Sequence, residues 1–141
     1  MHGDLNEQNI LVNKSDLGVK VCGLLDFQDC CRSHPLYDIA IFAGYMMMVR
    51  ETDVPRPQMP GHVLAGYCSV LELNEAESKA FHTVVAARMV MSLAYGAHYY
   101  AMDPTNEYLL ETAKAGWDAL VLFWETPREG LEADWKAIRQ V

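Results

Sequence analysis

The sequence lacks any concentrated group of Lys and Arg residues. Its 141 residues carry 11 basic and 19 acidic side chains, a formal net charge of −8. Binding to a nucleic-acid backbone needs a concentrated basic face, so the composition argues against a nucleic-acid partner. An acidic surface suits a cationic small substrate, and it suits equally well a protein that only needs a solvated exterior.

The cysteines and histidines lack the spacing of a metal site. Cys22, Cys30, Cys31 and Cys68 form no CxxC pair and have no companion histidines for zinc. A disulfide between the adjacent Cys30 and Cys31 would be strained, so reduced cysteines in an intracellular protein are the simplest interpretation. The histidines from His34 onward are scattered, and we expect them to be structural or solvent-facing.

The sequence also lacks a signal-peptide pattern and a long apolar run. Its first residues are polar and acidic rather than basic and then apolar. The longest apolar runs, such as 39–49, are too short to cross a bilayer. The 51% hydrophobic and 21% charged residues are typical of one folded domain rather than of a disordered chain. We therefore expect a cytoplasmic protein without a membrane partner.

Two apolar runs near the beginning predict a β-hairpin over 10–25, with a rather long loop of turn-forming residues between the strands. Helical patterns fill the rest of the chain, interrupted by a loop at Pro55, Pro57 and Pro60. Helices are predicted over 37–50, 61–73, from an N-cap at Asn74 to about 102, over 107–125 and over 131–140. The predicted fold class is α+β and mostly helical, a short hairpin followed by four or five helices.

Four polar side chains flank the predicted hairpin. Asp4 and Asn9 lie on a short loop before the first strand, and Asp26 and Asp29 follow the second strand. Because paired strands bring the start of one beside the end of the next, Asn9 and Asp26 are expected at one end of the hairpin, with Asp4 beside them. Such oxygen donors suit magnesium bridging phosphates, and a further carboxylate could act as a base in phosphoryl transfer. The alternative is a loop of turn formers that only caps a strand.

These residues carry a resemblance to a known family. The sequence His-Gly-Asp, four residues, Asn, and then an apolar strand ending in Asp-Phe resembles the catalytic segment of the aminoglycoside phosphotransferase family, small-molecule relatives of the protein kinases. The stretch PLYDIA, which contains Asp38, resembles the family's next landmark. The segments Gly61–Tyr67 and Thr112–Leu120 are similar to hydroxylysine kinase members of the family. The resemblance covers nearly the whole chain and implies the C-terminal lobe of a protein-kinase-like fold.

The resemblance implies chemical roles for four residues. Asp4 would be the catalytic base that orients the acceptor hydroxyl. Asn9 and Asp26 would hold Mg²⁺ against the β- and γ-phosphates of the nucleotide. Asp29 would contact a second metal ion or a substrate amine, and a solvated or helix-capping carboxylate is an equal alternative for it.

Other residues would act by shaping the catalytic loop. His2 and Gly3 belong to the loop, and Gly3 would allow the backbone turn that aims Asp4. Asp38 would be structural and accept hydrogen bonds from the loop. Arg88 lies on an apolar helix face, and we expect it to pair with a buried carboxylate that the sequence does not identify.

The segments that bind the nucleotide in this family do not precede the His-Gly-Asp motif in this sequence. No Gly-rich phosphate loop and no strand Lys precede Asp4 in this sequence. We therefore expect residues 1–141 to be a partial kinase-like domain, a catalytic loop and helical lobe without the N-terminal lobe. Alone, it is expected to be weakly active or inactive.

The implied function is transfer of a nucleotide γ-phosphate to a hydroxyl group of a small amine-bearing acceptor. The resemblance favours 5-hydroxy-L-lysine as acceptor and GTP as donor, with ATP as the other donor. Within enzymes, the alternative is a phosphotransferase for choline or an aminoglycoside. The alternative from another class is a non-catalytic helical binding module. The sequence pattern leaves the oligomeric state open.

Overall fold

The computed structural model describes residues 1–49, 52–110 and 113–140, and its first regular element is an antiparallel hairpin. Strand β1 (Ile10–Ser15) pairs with strand β2 (Gly18–Leu24), with Ile10 opposite Leu24 and Ser15 opposite Gly18. The predicted hairpin is confirmed. Its loop is shorter than expected, because the strands continue to a tight turn at 16–17.

Helices make up most of the remaining described chain. The α-helices are α1 (Pro35–Met48), α2 (Met59–Cys68), α3 (Glu75–Met102), α4 (Ala113–Glu125) and α5 (Arg128–Ile138). Short 3₁₀ helices lie at Glu7–Asn9, Arg56–Gln58 and Glu107–Leu110. The predicted class, α+β and mostly helical with a hairpin before four or five helices, is confirmed.

Several helix boundaries differ from the prediction. Pro60 lies in the first turn of α2 rather than in a loop, where its missing N–H removes no helical hydrogen bond. Helix α2 ends at Cys68 instead of near residue 73, because the N–H groups of Val70 and Leu71 both turn back to the carbonyl of Tyr67. The predicted helix over 107–125 is a 3₁₀ helix followed by α4. Arg50 and Thr112, which the sequence placed in motifs or helices, lie outside the described residues.

Helix α3 begins with the capping box that the sequence predicts. The Oδ1 atom of Asn74 accepts the N–H of Glu77 at 3.0 Å, and the N–H of Asn74 donates to the Glu77 carboxylate at 2.7 Å. Such a cap stabilises a helix start by about 1 kcal/mol. Across 1–49, 52–110 and 113–140, no helix combines the length and apolar character needed to cross a membrane.

The hydrophobic core lies between the helices. Its fully buried side chains include Met47 of α1, Phe81 of α3 and Phe123 of α4. Trp135 of α5 packs edge-on against Phe81 at a centroid distance of 5.6 Å and stacks on Phe123 at 6.1 Å. Gly61 of α2 allows this close packing, because a Cβ atom there would lie 2.7 Å from the Trp135 ring. The core therefore fixes α1 and α3 relative to each other.

The hairpin takes little part in this core. Within β1 and β2 only Ile10 and Gly23 are partly buried, and every other strand residue is exposed. The residues between the hairpin and α1 lie close to the N-terminal loop, since the Cys31 N–H donates to the Met1 carbonyl at 3.2 Å. The loop over 1–9 therefore lies between the exposed hairpin and the helical core.

Candidate active site

The N-terminal loop is attached to the helical core by the carboxylate of Asp38. Asp38 lies in the first turn of α1, where a helix N-terminus favours negative charge. Its Oδ2 atom accepts the backbone N–H of His2 at 2.5 Å, and its Oδ1 atom accepts the backbone N–H of Gly3 at 2.9 Å. One carboxylate thus fixes two consecutive peptide groups immediately before Asp4.

The His2 side chain connects the same loop to the end of β2. Its Nε2 atom lies 2.8 Å from the carbonyl oxygen of Leu25, so the proton must be on Nε2 for this hydrogen bond to form. The ring also packs against Phe27 at a centroid distance of 4.9 Å. Because His2 is buried, this contact holds the segment around Asp26 against the loop.

Gly3 occupies a position that requires glycine. Its φ of +93° lies in the left-handed region, and a Cβ atom built there would lie 2.4 Å from the carbonyl oxygen of Asp29. No side chain fits such a gap without moving the backbone. Gly3 therefore allows the loop to pass directly over the Asp29 backbone and to present Asp4 on the next residue.

Asn6 organises the turn between Asp4 and β1, and the sequence did not single it out. Its Oδ1 atom accepts the N–H groups of Gln8 at 2.9 Å and Asn9 at 3.2 Å. Its Nδ2 group donates to the Asp4 carbonyl at 3.3 Å and to Asp4 Oδ2 at 3.2 Å. The available signal was an Asn before a short polar run, which is typical of a cap. Asn6 therefore fixes both the backbone and the carboxylate of Asp4.

Asn9 is linked to Asp4 on one side and to the end of β2 on the other. Its Nδ2 group donates to the Asp4 carbonyl at 2.9 Å and approaches Asp4 Oδ2 at 3.4 Å. Its backbone carbonyl accepts the Leu25 N–H at 2.9 Å. With Nδ2 committed to Asp4, the side-chain oxygen of Asn9 is the atom that could bind a cation.

Asp26 follows β2 at the end of the hairpin where Asn9 precedes β1. Its φ of +56° makes it the one residue other than glycine with a positive φ in the described residues. A left-handed conformation costs a non-glycine residue roughly 1–2 kcal/mol, and Asp tolerates it better than most. Such local strain is often retained where a side chain must be aimed at a ligand.

Asp29 lies beside this group rather than within it. It belongs to a turn in which the Cys30 N–H donates to the Phe27 carbonyl at 3.2 Å, and its side chain is exposed. Its backbone carbonyl faces Gly3. In the described part of the chain, no hydrogen bond or ion pair connects the Asp29 carboxylate with Asp4, Asn9 or Asp26.

Helix α3 adds a cation to the site. The Nη2 atom of Arg88 lies 3.7 Å from Asp4 Oδ1, and the two side chains are only 20% and 29% exposed. The sequence predicted a carboxylate partner for Arg88 without identifying it, and the structure identifies Asp4. The Arg88 Nε atom is buried and has no hydrogen-bond partner within 1–49, 52–110 and 113–140.

The oxygen atoms of Asn9 and Asp26 suit a cation whose remaining ligands come from a nucleotide or from water. Among the described residues, no three His, Cys, Asp or Glu side chains are grouped so that they could hold a metal ion. Asn9 and Asp26 supply one amide oxygen and one carboxylate oxygen, which are ligands that Mg²⁺ accepts. Mg²⁺ normally completes its octahedral shell with phosphate oxygens and water, so two protein ligands are sufficient.

A cavity of about 550 Å³ opens beside the loop, lined by Leu5, Asp38 and residues of α1 and α2. Tyr67 of α2 provides one polar group on its wall. Burial, followed by the charges of the nearby Glu77, Cys68 and Asp38, raises the pKa of Tyr67. Its hydroxyl therefore remains protonated at neutral pH and can donate a hydrogen bond.

Known proteins are similar to this chain over most of its length. The model of the phosphotransferase enzyme family matches residues 1–76, which include the loop, the hairpin, α1 and α2. Hydroxylysine kinase of Bos taurus is 38% identical over 140 residues, which cover 95% of this chain and 36% of the relative. The hydroxylysine kinases of Mus musculus and Xenopus laevis are each 37% identical over 95% of this chain, and 36% and 37% of their lengths are covered.

The chain thus spans little more than a third of the length of the curated relatives that it matches. No solved structure shows a significant match to it.

Proposed function

The chain belongs to the phosphotransferase enzyme family, and we propose that its protein transfers the γ-phosphate of a nucleotide to a hydroxyl group of a small amine-bearing acceptor. The observation that carries this proposal is the arrangement of Asp4. Asn6 and Asn9 hold its Oδ2 atom, while no hydrogen-bond donor of the described residues lies on its Oδ1 atom. A carboxylate fixed in this way can accept a proton from a hydroxyl group.

In the proposed reaction, Asp4 orients the acceptor hydroxyl and receives its proton. The acceptor oxygen forms a bond to the γ-phosphorus, and the bond between that phosphorus and the β–γ bridging oxygen breaks. The products are a phosphate ester and a nucleoside diphosphate. Because phosphoryl transfer demands little covalent chemistry of the protein, the contribution of Asp4 is mainly positioning.

Asn9 and Asp26 are the proposed Mg²⁺ ligands. Their oxygen atoms suit a hard cation. In support, Asn9 contacts Asp4 directly, and Asp26 follows β2 at the end of the hairpin where Asn9 precedes β1. Bound Mg²⁺ would neutralise charge on the transferred phosphate. Asp38, His2 and Gly3 support the reaction by holding the loop, and Asp29 is a further candidate contact for a second metal ion or for a substrate amine.

The proposed acceptor is 5-hydroxy-L-lysine. This choice rests on the curated relatives, which are named hydroxylysine kinase and are 34–38% identical to the chain. The cavity beside Leu5 has a volume suited to a small molecule of this kind. We propose GTP as the donor, with ATP as the alternative, and the cytoplasm as the location. Choline and aminoglycosides are the competing acceptors.

The experiment is a phosphotransfer assay on the full product of the gene. It measures nucleoside diphosphate release and phosphate-ester formation with Mg²⁺, GTP or ATP, and four potential acceptors: hydroxylysine, lysine, choline and an aminoglycoside. We expect transfer to hydroxylysine and none to lysine, which lacks the hydroxyl group. Transfer only to choline or only to the aminoglycoside would show that this compound, and not hydroxylysine, is the acceptor. Absence of transfer to every acceptor would contradict a kinase function and favour a binding module.

A further inference from the structure

The two oxygens of the Asp4 carboxylate have different surroundings. Oδ2 accepts the side-chain amides of Asn6 at 3.2 Å and Asn9 at 3.4 Å. Oδ1 faces Arg88 of α3, with 3.7 Å between the oxygen and Nη2. The loop therefore holds one oxygen by hydrogen bonds, and the helical core faces the other with a positive charge.

The Arg88 contact attracts Oδ1 without occupying it. A separation of 3.7 Å permits a strong Coulomb interaction but exceeds the usual length of a hydrogen bond. Both side chains are mostly buried, so water and salt screen the interaction less than at the surface. The lone pairs of Oδ1 therefore remain available for a substrate hydroxyl, while the guanidinium limits rotation of the carboxylate.

Stability alone does not account for Arg88 at this position. Its Nε atom is buried and, among the described residues, makes no hydrogen bond. Its neighbours around a cavity of about 280 Å³ include the apolar side chains of Ile41, Val84 and Met91. A buried unpaired N–H is unfavourable, and an apolar side chain would fit such surroundings better. Among the residues that the structure describes, the polar contact of Arg88 is the one with Asp4.

We propose that Arg88 is a positioning residue that holds Oδ1 of Asp4 towards the acceptor hydroxyl. This inference rests on the proposed function, because it assigns a task to Arg88 only if Asp4 is the base. Arg88 acts through Asp4 and does not itself exchange a proton or form a bond. Loss of its charge should leave acceptor and nucleotide binding intact while the carboxylate samples unproductive orientations.

The test compares R88M, which keeps an unbranched side chain without charge, with R88K, which keeps the charge. Arg139→Met is the matched control. Arg139 follows the C-terminal end of α5, away from the loop over 1–9, and its guanidinium pairs with Glu72 at 2.8 Å. In the full gene product we expect R88M to lower kcat about 10- to 100-fold, with KM for the acceptor within about twofold of wild type. R88K should recover part of the loss, and R139M should match wild type.

A wild-type kcat in R88M would overturn the proposal. So would an R88K rate no higher than that of R88M, since charge would then not be the property that matters. If R88M fails to fold, R88Q replaces it with the same expectations. If wild-type protein phosphorylates no acceptor, the proposed function itself fails.

A second measurement decides the positioning role without activity. The ¹⁵N-labelled full gene product gives side-chain amide signals for Asn6 and Asn9, which both donate to Asp4 Oδ2. We expect both signals to shift or broaden in R88M, to return towards wild type in R88K and to stay unchanged in R139M. Unchanged Asn6 and Asn9 signals in R88M would contradict the proposal.

Discussion

The carboxylate of Asp38 accepts the backbone N–H of Gly3 at 2.9 Å, across 35 residues of the chain. Its second oxygen accepts the N–H of His2. Asp38 is part of α1, whose other face is buried in the core. Its hydrogen bonds therefore restrict motion of the loop relative to the helical core. Through this contact, packing of the helices is connected to the orientation of Asp4.

Replacing Asp38 with Ala should loosen the loop and slow the reaction. It leaves two partly buried N–H groups without their acceptor, at a cost of about 1–3 kcal/mol in the free energy of unfolding. We expect faster hydrogen exchange at the amides of His2 and Gly3, and a lower kcat. Asp118→Ala is the control, because Asp118 is exposed on α4. Wild-type exchange at both amides in D38A would show that Asp38 does not hold the loop.

Alanine variants of two glycines with positive φ distinguish the effect of backbone strain from the effect of a steric clash. Gly3 and Gly18 have φ of +93° and +115°, but a Cβ atom meets the Asp29 backbone only at Gly3, and nothing within 4 Å at Gly18. Both Ala variants should lose roughly 1–2 kcal/mol of stability from backbone strain. G3A should in addition lose phosphotransfer activity by at least about tenfold, because Asp4 is displaced. Equal activity in G3A and G18A would contradict this account of the loop.

Variants of the two candidate metal ligands should change the magnesium requirement. N9A and D26N each remove an oxygen ligand or its charge, so the Mg²⁺ concentration for half-maximal activity should rise about 10- to 100-fold. Asn13→Ala provides the control, because Asn13 is an exposed residue of β1. The measurement is a Mg²⁺ titration of the initial rate at saturating nucleotide. If the D26N titration curve overlays the wild-type curve, Asp26 is not a Mg²⁺ ligand.

His82 should make the fold sensitive to acid. Burial first, and then the nearby charge of Arg128, lowers its pKa from the ordinary 6.5, while Glu132 opposes the shift. Below pH 6.5 the unfolded chain therefore binds a proton that the folded chain resists. Stability is lost as the pH falls from 6.5 towards the lowered value, and is retained above 6.5.

The check is denaturant unfolding between pH 5 and 8 for wild type and H82F. Phenylalanine keeps the stacking of ring 82 on Phe123, where the centroids are 4.5 Å apart, and cannot be protonated. We expect the pH dependence of the free energy of unfolding to flatten in this range. His98→Phe, at an exposed position, should keep the wild-type slope. A wild-type slope in H82F would assign the acid sensitivity to other groups.

Local patterns in the sequence predicted much of the fold. The alternation of apolar runs and turn formers gave the hairpin, and Asn74 with Glu77 gave the start of α3, because both signals act within a few residues. The end of α2 at Cys68 was missed, since the turn back to Tyr67 depends on no distinct residue. Pro60 was misplaced in a loop, although proline is as well suited to a first helical turn.

The candidate site was predictable only in part. The sequence placed Asn9 and Asp26 at one end of the hairpin, because paired strands bring the start of one beside the end of the next. The partner of Arg88 depends on how α3 packs against the loop, which no local pattern contains. The contribution of Asn6 was hidden for a different reason: a capping Asn in a polar loop is common and carries no chemical signal of its own.

The substitution Asp4→Asn tests most directly the central claim, that Asp4 is the catalytic base. D4N keeps the size of the side chain and removes the proton acceptor, so kcat for hydroxylysine phosphorylation should fall about 100- to 10,000-fold. Nucleotide and Mg²⁺ binding should stay within about twofold of wild type, and Asp16→Asn in the exposed hairpin turn should have no effect. A D4N protein that phosphorylates hydroxylysine at the wild-type rate would contradict the assignment of Asp4 as the base.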